Sequence, residues 1–460
     1  MFMAGLFSDG TGACRLLDAG AGIGSLSVAF LERWRSGGFH FPHVHVDAFE
    51  LDHSLIQHLS NTLDKYDHRG DFTTTIYAED FIHAATDSLS GSLFSKRIEG
   101  YTHAILNPPY KKINSDSAHR LALRLAGIET VNLYSAFVAL SLALTRPGGQ
   151  LVTIIPRSFC NGPYYRPFRE FILQRAAIRH IHLFDSRSKA FKDDQVLQEN
   201  IIIRLDRCDQ RGPVTISTST DDTFTDITTH EYPFEQIVFP DDLESFIHVP
   251  TSPEISAFEH STAFAYTLAD LGISVSTGPV VDFRLKTHLR EMPEPGTVPL
   301  LYPGHFSNGG ANWPIEGMKK PNAILRNPET EKWLYPVGFY CVIRRFSSKE
   351  EKRRVVASVV EPGIFGDAPM LGFENHLNLL HADKHGLPEA LARGLAVYLN
   401  STAVDANFRR FSGHTQVNAT DLRLMKFPSR ETLIKFGEWA AKQNTLTQSM
   451  IDAKLETVTA

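Results

Sequence analysis

Sulfur is scarce and scattered in this chain. Its four cysteines, Cys14, Cys160, Cys208 and Cys341, form no CxxC pair. That argues against a zinc ribbon or a disulfide framework and fits a reducing compartment. No apolar run reaches the length of a bilayer span and no stretch reads as a signal peptide, so a cytoplasmic protein is expected. An overall positive charge is also missing. The formal net charge is −6, so any nucleic-acid surface must be a local basic patch. The histidines crowd only at His40, His43 and His45, with no carboxylate or cysteine at ligand spacing, and no metal site is expected. Repeats and low-complexity tracts are not evident. Neither is the PD…(D/E)xK pattern of a nuclease, since Glu350-Glu351-Lys352 has no suitable partner nearby.

The 460 residues suffice for more than one domain. Up to about residue 205, apolar strand-like runs alternate with helical segments. Strands are expected at 15–19, 45–52, 73–78, 101–106, 150–156, 178–184 and 200–205, the last two too close for an ordinary helical crossover. The pattern implies an α/β, Rossmann-like, seven-stranded, mostly parallel sheet with one antiparallel strand. Prolines at 240, 250 and 253 and the loss of alternation put a domain boundary near 240–260, with domains taken as 1–240 and 241–460. The second reads as an irregular α+β domain of short apolar pieces, such as 273–278 and 339–344.

Four strand ends carry chemistry. The first is Asp18-x-Gly20-x-Gly22-x-Gly24, a turn that lets backbone approach a ligand at a helix start. A nicotinamide fingerprint would need glycine at Ser25. A carboxylate beside the turn repels a pyrophosphate but accepts a hydrogen bond from a cationic amino-acid moiety, which favours S-adenosyl-L-methionine. The second strand ends in Glu50, where ribose hydroxyls are received in such folds. The third ends in Asp80-Phe81, suited to an adenine amine and ring face, although Phe81 reads equally as core. The fourth delivers Asn107-Pro108-Pro109-Tyr110. Proline pushes its predecessor into extended backbone, which presents Asn107 at a strand's carboxyl end, where open α/β sheets bind ligands.

In this order the motifs resemble the gamma-class N6-adenine DNA methyltransferases of bacterial restriction-modification systems. The string Phe184-Asp185-Ser186-Arg187, with Phe191 and Val196 to Asn200, is similar to the PstI/BsuBI type. The resemblance implies a class I S-adenosylmethionine methyltransferase fold followed by a DNA target-recognition domain. It implies that Asn107 and the Pro108 carbonyl accept the protons of the target amine within the motif completed by Pro109 and Tyr110. Tyr110 and Phe191 then stack on a flipped base, and Asp18, Gly20, Gly22, Gly24, Glu50, Asp80 and Phe81 hold the cofactor. The family carries a Thr-Pro segment before its first strand. Met1 to Phe7 resembles only the tail of it, from which either a misplaced start or weakened cofactor affinity is expected.

Residues 319 to 354 hold ten Lys/Arg against four Glu, read beside a base-modifying domain as phosphate contacts. The string 413–423 resembles target-recognition segments of the same family, and Arg409, Arg410, His414, Gln416 and Asn418 are its candidate DNA contacts. Double-stranded DNA is the expected partner of a monomeric protein, with a restriction endonuclease encoded separately. RNA bases or a protein glutamine amide are alternative acceptors, and a catalytically idle DNA-binding subunit is the alternative of a different class.

Overall fold

The structure is a computed structural model. It describes all residues except 11, 68–69, 91–99, 185–198, 209, 241, 251–262, 348–350, 412–415 and 460. The chain divides into two compact units, Met1–Thr251 and Ser252–Ala460.

The first unit is a doubly wound sheet. Its strands are β1 (Cys14–Ala19), β2 (Val44–Phe49), β3 (Phe72–Tyr77), β4 (Tyr101–Leu106), β5 (Thr145–Pro156), β6 (Ala177–Phe184), β7 (Asn200–Asp206), β8 (Val214–Ser219) and β9 (Thr228–Tyr232). They lie in the order β3-β2-β1-β4-β5-β7-β6-β8-β9. The seven strands expected from the sequence are therefore part of a nine-stranded mixed sheet. β7 runs antiparallel to both β5 and β6, and β8 pairs antiparallel with β9. Of the two further strands, β8 is mostly buried but carries only Val214 and Ile216 as large apolar residues, and β9 is a mostly exposed edge, Thr228 to Glu231, without apolar alternation.

Every residue of β4 is buried, as expected of a strand covered on both faces. Helices supply the cover. One face packs α2 (Ser25–Arg35) and α3 (His53–Leu63) through Phe30, Leu31, Leu59 and Leu63. The other packs α4 (Phe81–Ser90), α5 (Ala118–Leu125), α6 (Leu133–Leu144) and α7 (Arg166–Arg175). Alternate residues of β1 obey the pleat: Leu16 faces the first set, Leu17 and Ala19 the second. The short helix α1 (Phe2–Gly5) is docked on the same unit. Met3 and Phe7 are buried, Arg204 donates to the Leu6 carbonyl at 2.7 Å, and Phe2 stacks on Phe224 at 4.2 Å.

The second unit has a six-stranded and a five-stranded sheet, both mixed, followed by helices. The helices Glu389–Leu399 and Arg430–Ala440 cross in close contact. A Cβ on Gly394 would come within 1.8 Å of the Leu433 carbonyl, and one on Gly437 within 1.7 Å of that of Ala390, so only glycine permits this approach.

Candidate active site

β1 lies between β2 and β4, and the connections diverge on either side of it. That is the switch point at which open α/β sheets bind ligands. Register aligns the strand ends: Ala19 pairs with Phe49, Phe49 with Tyr77, Leu17 with Ala104, and Leu106 with Thr153. Read across the edge, the motifs stand in the order Asp80, Glu50, glycine turn, Asn107. Three strand spacings separate the β3 end from the β4 end, roughly 14 Å. Chain order is different, and the sheet does the sorting.

The glycine turn is built as the spacing predicts. Gly20, Gly22 and Gly24 have φ of +77°, +58° and +86°, values that favour glycine. The Gly20 and Ala21 amides both donate to the Phe49 carbonyl at 2.9 Å, which ties the turn to the neighbouring strand end. A Cβ on Gly22 would point into open space, so the turn presents bare backbone outward. Glu50 is clamped. One carboxylate oxygen accepts the Gly22 N–H and the other the Asp52 N–H, each at 2.7 Å. Each oxygen keeps a further lone pair for a hydroxyl donor.

Asp18 is 1% exposed. One oxygen accepts the Ser27 hydroxyl at 2.6 Å, while Oδ1 is buried without a hydrogen-bond partner. Burial pushes its carboxyl up to about 6, against the pull of Ser27. Phe81 is 3% exposed and packed edge-on to Phe49 and against Phe137, both at 5.1 Å. Its ring is core, with no open face to offer a ligand. Asp80 caps α4 by accepting the His83 N–H at 3.0 Å, and its other oxygen meets His119 Nε2 at 2.9 Å.

Asn107 is exposed, Pro108 is buried beneath it and Pro109 is exposed. Tyr110 is half-buried against the apolar core, edge-on to Tyr134 at 6.1 Å. Its hydroxyl donates to the Ile154 carbonyl at 3.3 Å and makes a long contact of 3.4 Å to Asn107 Oδ1. The proline turn therefore holds amide and phenol side by side at one strand end. Beyond it, residues 111–113 pair back on 131–133: Ile113 N–H donates to the Val131 carbonyl and Leu133 N–H to that of Lys111. The excursion so closed carries α5 and brings His119 to Asp80, a contact no spacing along the chain could have revealed.

The other candidates are placed differently. Phe191 and His414 lie outside the described residues, as does the side chain of Arg410. Arg409 pairs with Asp405 at 2.8 Å and donates to the Glu351 carbonyl. Gln416 accepts from Arg345 at 3.1 Å, and Asn418 caps the helix Ala419–Leu424 in a reciprocal pair with Asp421. The basic stretch 319–354 is largely engaged within its own unit. Lys320 pairs with Asp282, Arg326 with Glu331 and Arg344 with Glu351. Arg354 is buried against Ser347 and Phe408. Of the histidines grouped by sequence, His40 pairs with Asp9 and His45 bridges Thr73 and Asp47. Among the described residues, the His/carboxylate group that does converge is Asp80, His83 and His119.

Known proteins place the chain. Residues 25–191 match the Eco57I restriction-modification methylase family. The type II methyltransferase M.BsuBI of Bacillus subtilis is 54% identical over 99% of this chain and 91% of its own length. M.PstI of Providencia stuartii is 40% identical over 99% and 90%. Among solved structures, a nuclease-deletion mutant of the Type ISP restriction-modification enzyme LlaGI, bound to a DNA substrate mimic, aligns with 93% of this chain and 51% of that one, at 12% identity and a TM-score of 0.47. With two relatives this similar along nearly their whole lengths, the chain belongs to the type II methyltransferases of restriction-modification systems.

Proposed function

We propose that the protein is a site-specific DNA adenine-N6 methyltransferase using S-adenosyl-L-methionine, the protective half of a restriction-modification pair. The observation that carries this reading is the alignment of four strand ends on one sheet edge, with Asn107 beside the glycine turn and Asp80 at the far side. The donor set fits the cofactor. Glu50 offers lone pairs to ribose hydroxyls, and Gly22 leaves room for close backbone approach. The unpartnered Asp18 Oδ1 supplies negative potential beneath a cationic amino-acid end. Asp80 would take the adenine amine, whereas Phe81 contributes packing rather than a stacking face. When bound, the cofactor supplies an electrophilic sulfonium methyl.

The chain's own task is the acceptor. An adenine amine is a poor nucleophile because its lone pair is delocalised into the ring. The Asn107 side-chain oxygen and the Pro108 carbonyl accept its two protons. This favours a pyramidal nitrogen and stabilises the positive charge that develops on it. Tyr110, held by its hydroxyl contact and its packing on Tyr134, stacks on a base flipped out of the duplex. Such stacking contributes about 1–3 kcal/mol. On this reading unit 1 performs the transfer and unit 2 recognises the DNA target.

The test offers labelled S-adenosyl-L-methionine together with duplex DNA, RNA and protein. Label in duplex DNA is expected. Label confined to RNA or protein overturns the acceptor, and cofactor binding without any transfer favours an idle DNA-binding subunit.

A further inference from the structure

The proposed mechanism leaves His83 and His119 without a role, yet they converge on a residue it uses. Asp80 precedes α4 and His83 lies in its first turn, while His119 arrives from α5 on the excursion closed at 111–113 and 131–133. His119 Nε2 stands 2.9 Å from Asp80 Oδ2, and the two imidazole rings are 5.0 Å apart with a tilt of 43°. One ligand atom from each of the three residues can be chosen so that all lie within 4.8 Å of one another. The Asp80 carboxylate is already oriented by the His83 N–H on its other oxygen.

We infer that Asp80, His83 and His119 bind one divalent cation of the zinc and cobalt class, and that this cation and the adenine end of the cofactor exclude each other. Two imidazoles and one carboxylate suit borderline transition metals rather than magnesium or calcium, which prefer all-oxygen sites. Three protein ligands leave at least one coordination position for water. Tetrahedral zinc with bonds of about 2.0–2.1 Å needs ligand atoms about 3.4 Å apart, so Asp80 and His119, now 2.9 Å apart, open slightly and the group readjusts by rotamer changes on two short helices. A bound cation would tie α5 to the β3 end and take the Asp80 oxygen that otherwise meets the adenine amine. Metal binding itself is independent of the proposed activity; the exclusion rests on the reading of Asp80 given above.

The experiment uses the full chain and two readouts. Cobalt(II) titration followed by visible absorption is expected to show one bound ion per chain, with d–d bands and no thiolate charge-transfer band. Either His83→Ala or His119→Ala weakens it at least about tenfold, a scale typical even of outer-shell changes at metal sites. Far-UV circular dichroism reports whether each variant is folded, and the two variants serve as independent probes. Equal cobalt affinity in wild type and both folded variants, or a thiolate band, overturns the site. The second readout is dialysis of labelled S-adenosyl-L-methionine against rising zinc. With zinc at about ten times its own Kd, the apparent cofactor Kd is expected to rise about tenfold. Chelator restores it, and in His119→Ala the same zinc raises it about twofold or less. Zinc bound with an unchanged cofactor Kd overturns the exclusion. Failure of the cofactor to bind even with chelator present counts against the proposed function instead, and the cobalt titration still decides the site.

Discussion

Two regions of this molecule were both singled out by their residues, and they behave differently. At the carboxyl edge of the first sheet, backbone contacts hold Glu50 and the glycine turn, and Asn107 stands exposed beside the Tyr110 hydroxyl. In the second unit, the basic run 319–354 spends many of its cations on its own unit: Lys320, Arg326 and Arg344 pair at the surface with Asp282, Glu331 and Glu351, and Arg354 is buried against Ser347. The difference is one of constraint. A strand followed by glycines or prolines has few conformations, so its sequence dictates where the next side chain goes. A count of lysines and arginines carries no such geometry. Some of these cations pair with nearby acids, Arg326 with Glu331 and Arg344 with Glu351, and Lys320 with the distant Asp282, and surface ion pairs of this kind contribute about 0–1 kcal/mol each.

The comparison is broken most severely at Asn107. Asn107→Ala is expected to lower methyl transfer about 10²–10³-fold, the scale for removing one preorganised group from a charge-stabilising site. Cofactor Kd should change less than about threefold. Single-turnover kinetics beside equilibrium binding measures both, and retained turnover would remove Asn107 from the mechanism.

Next in size is a change in the second unit that affects folding rather than catalysis. Arg354 is buried, donating to Ser347 at 3.0 Å with Phe408 at 5.4 Å. Arg354→Ala should destabilise by about 3 kcal/mol, since truncating a buried side chain leaves a cavity and removes its hydrogen bond to Ser347. Exposed Lys319→Ala should stay within about 0.5 kcal/mol. Denaturant titration distinguishes them. Equal effects would mean that burial does not divide this run as described.

Glu50→Gln is expected to weaken the cofactor about tenfold or more, since it replaces charge-assisted hydrogen bonds worth about 1.5–3 kcal/mol. Calorimetric titration reads this directly. A variant binding as tightly as wild type would leave Glu50 as a brace for the turn alone.

A pH dependence sharpens the placement of Asn418. Its N–H donates at 2.8 Å to Asp421, whose carboxyl burial pushes up to about 7. A carboxylate raised on folding favours the folded state most when protonated. That stabilisation is complete below the ordinary value of 3.8 and is lost as pH rises through about 7. The denaturation midpoint of this unit should therefore fall between about pH 4 and about pH 7, and Asp421→Asn should flatten the dependence. An unchanged slope in the variant would assign it to other groups.

Much of the first unit was legible. β4 begins and ends where its apolar run does, and Asp52, as N-cap of α3, marks that helix start. What stayed hidden depends on distant pairing or on edges. The excursion carrying α5 is closed by contacts between 111–113 and 131–133, and β9 pairs through its backbone while its side chains face water. Phe81 illustrates the limit inside a motif. The residue is where the pattern puts it, but Phe49 and Phe137 cover its ring. In the second unit, short strands in two mixed sheets leave little periodicity to read.

The most direct measurement is nucleoside analysis of duplex DNA after incubation with the protein and isotopically labelled S-adenosyl-L-methionine, with base-resolution sequencing of the product. The account predicts label in N6-methyladenine alone, at one recurrent sequence. Label in a methylated cytosine, or adenine methylation without sequence preference, would contradict it.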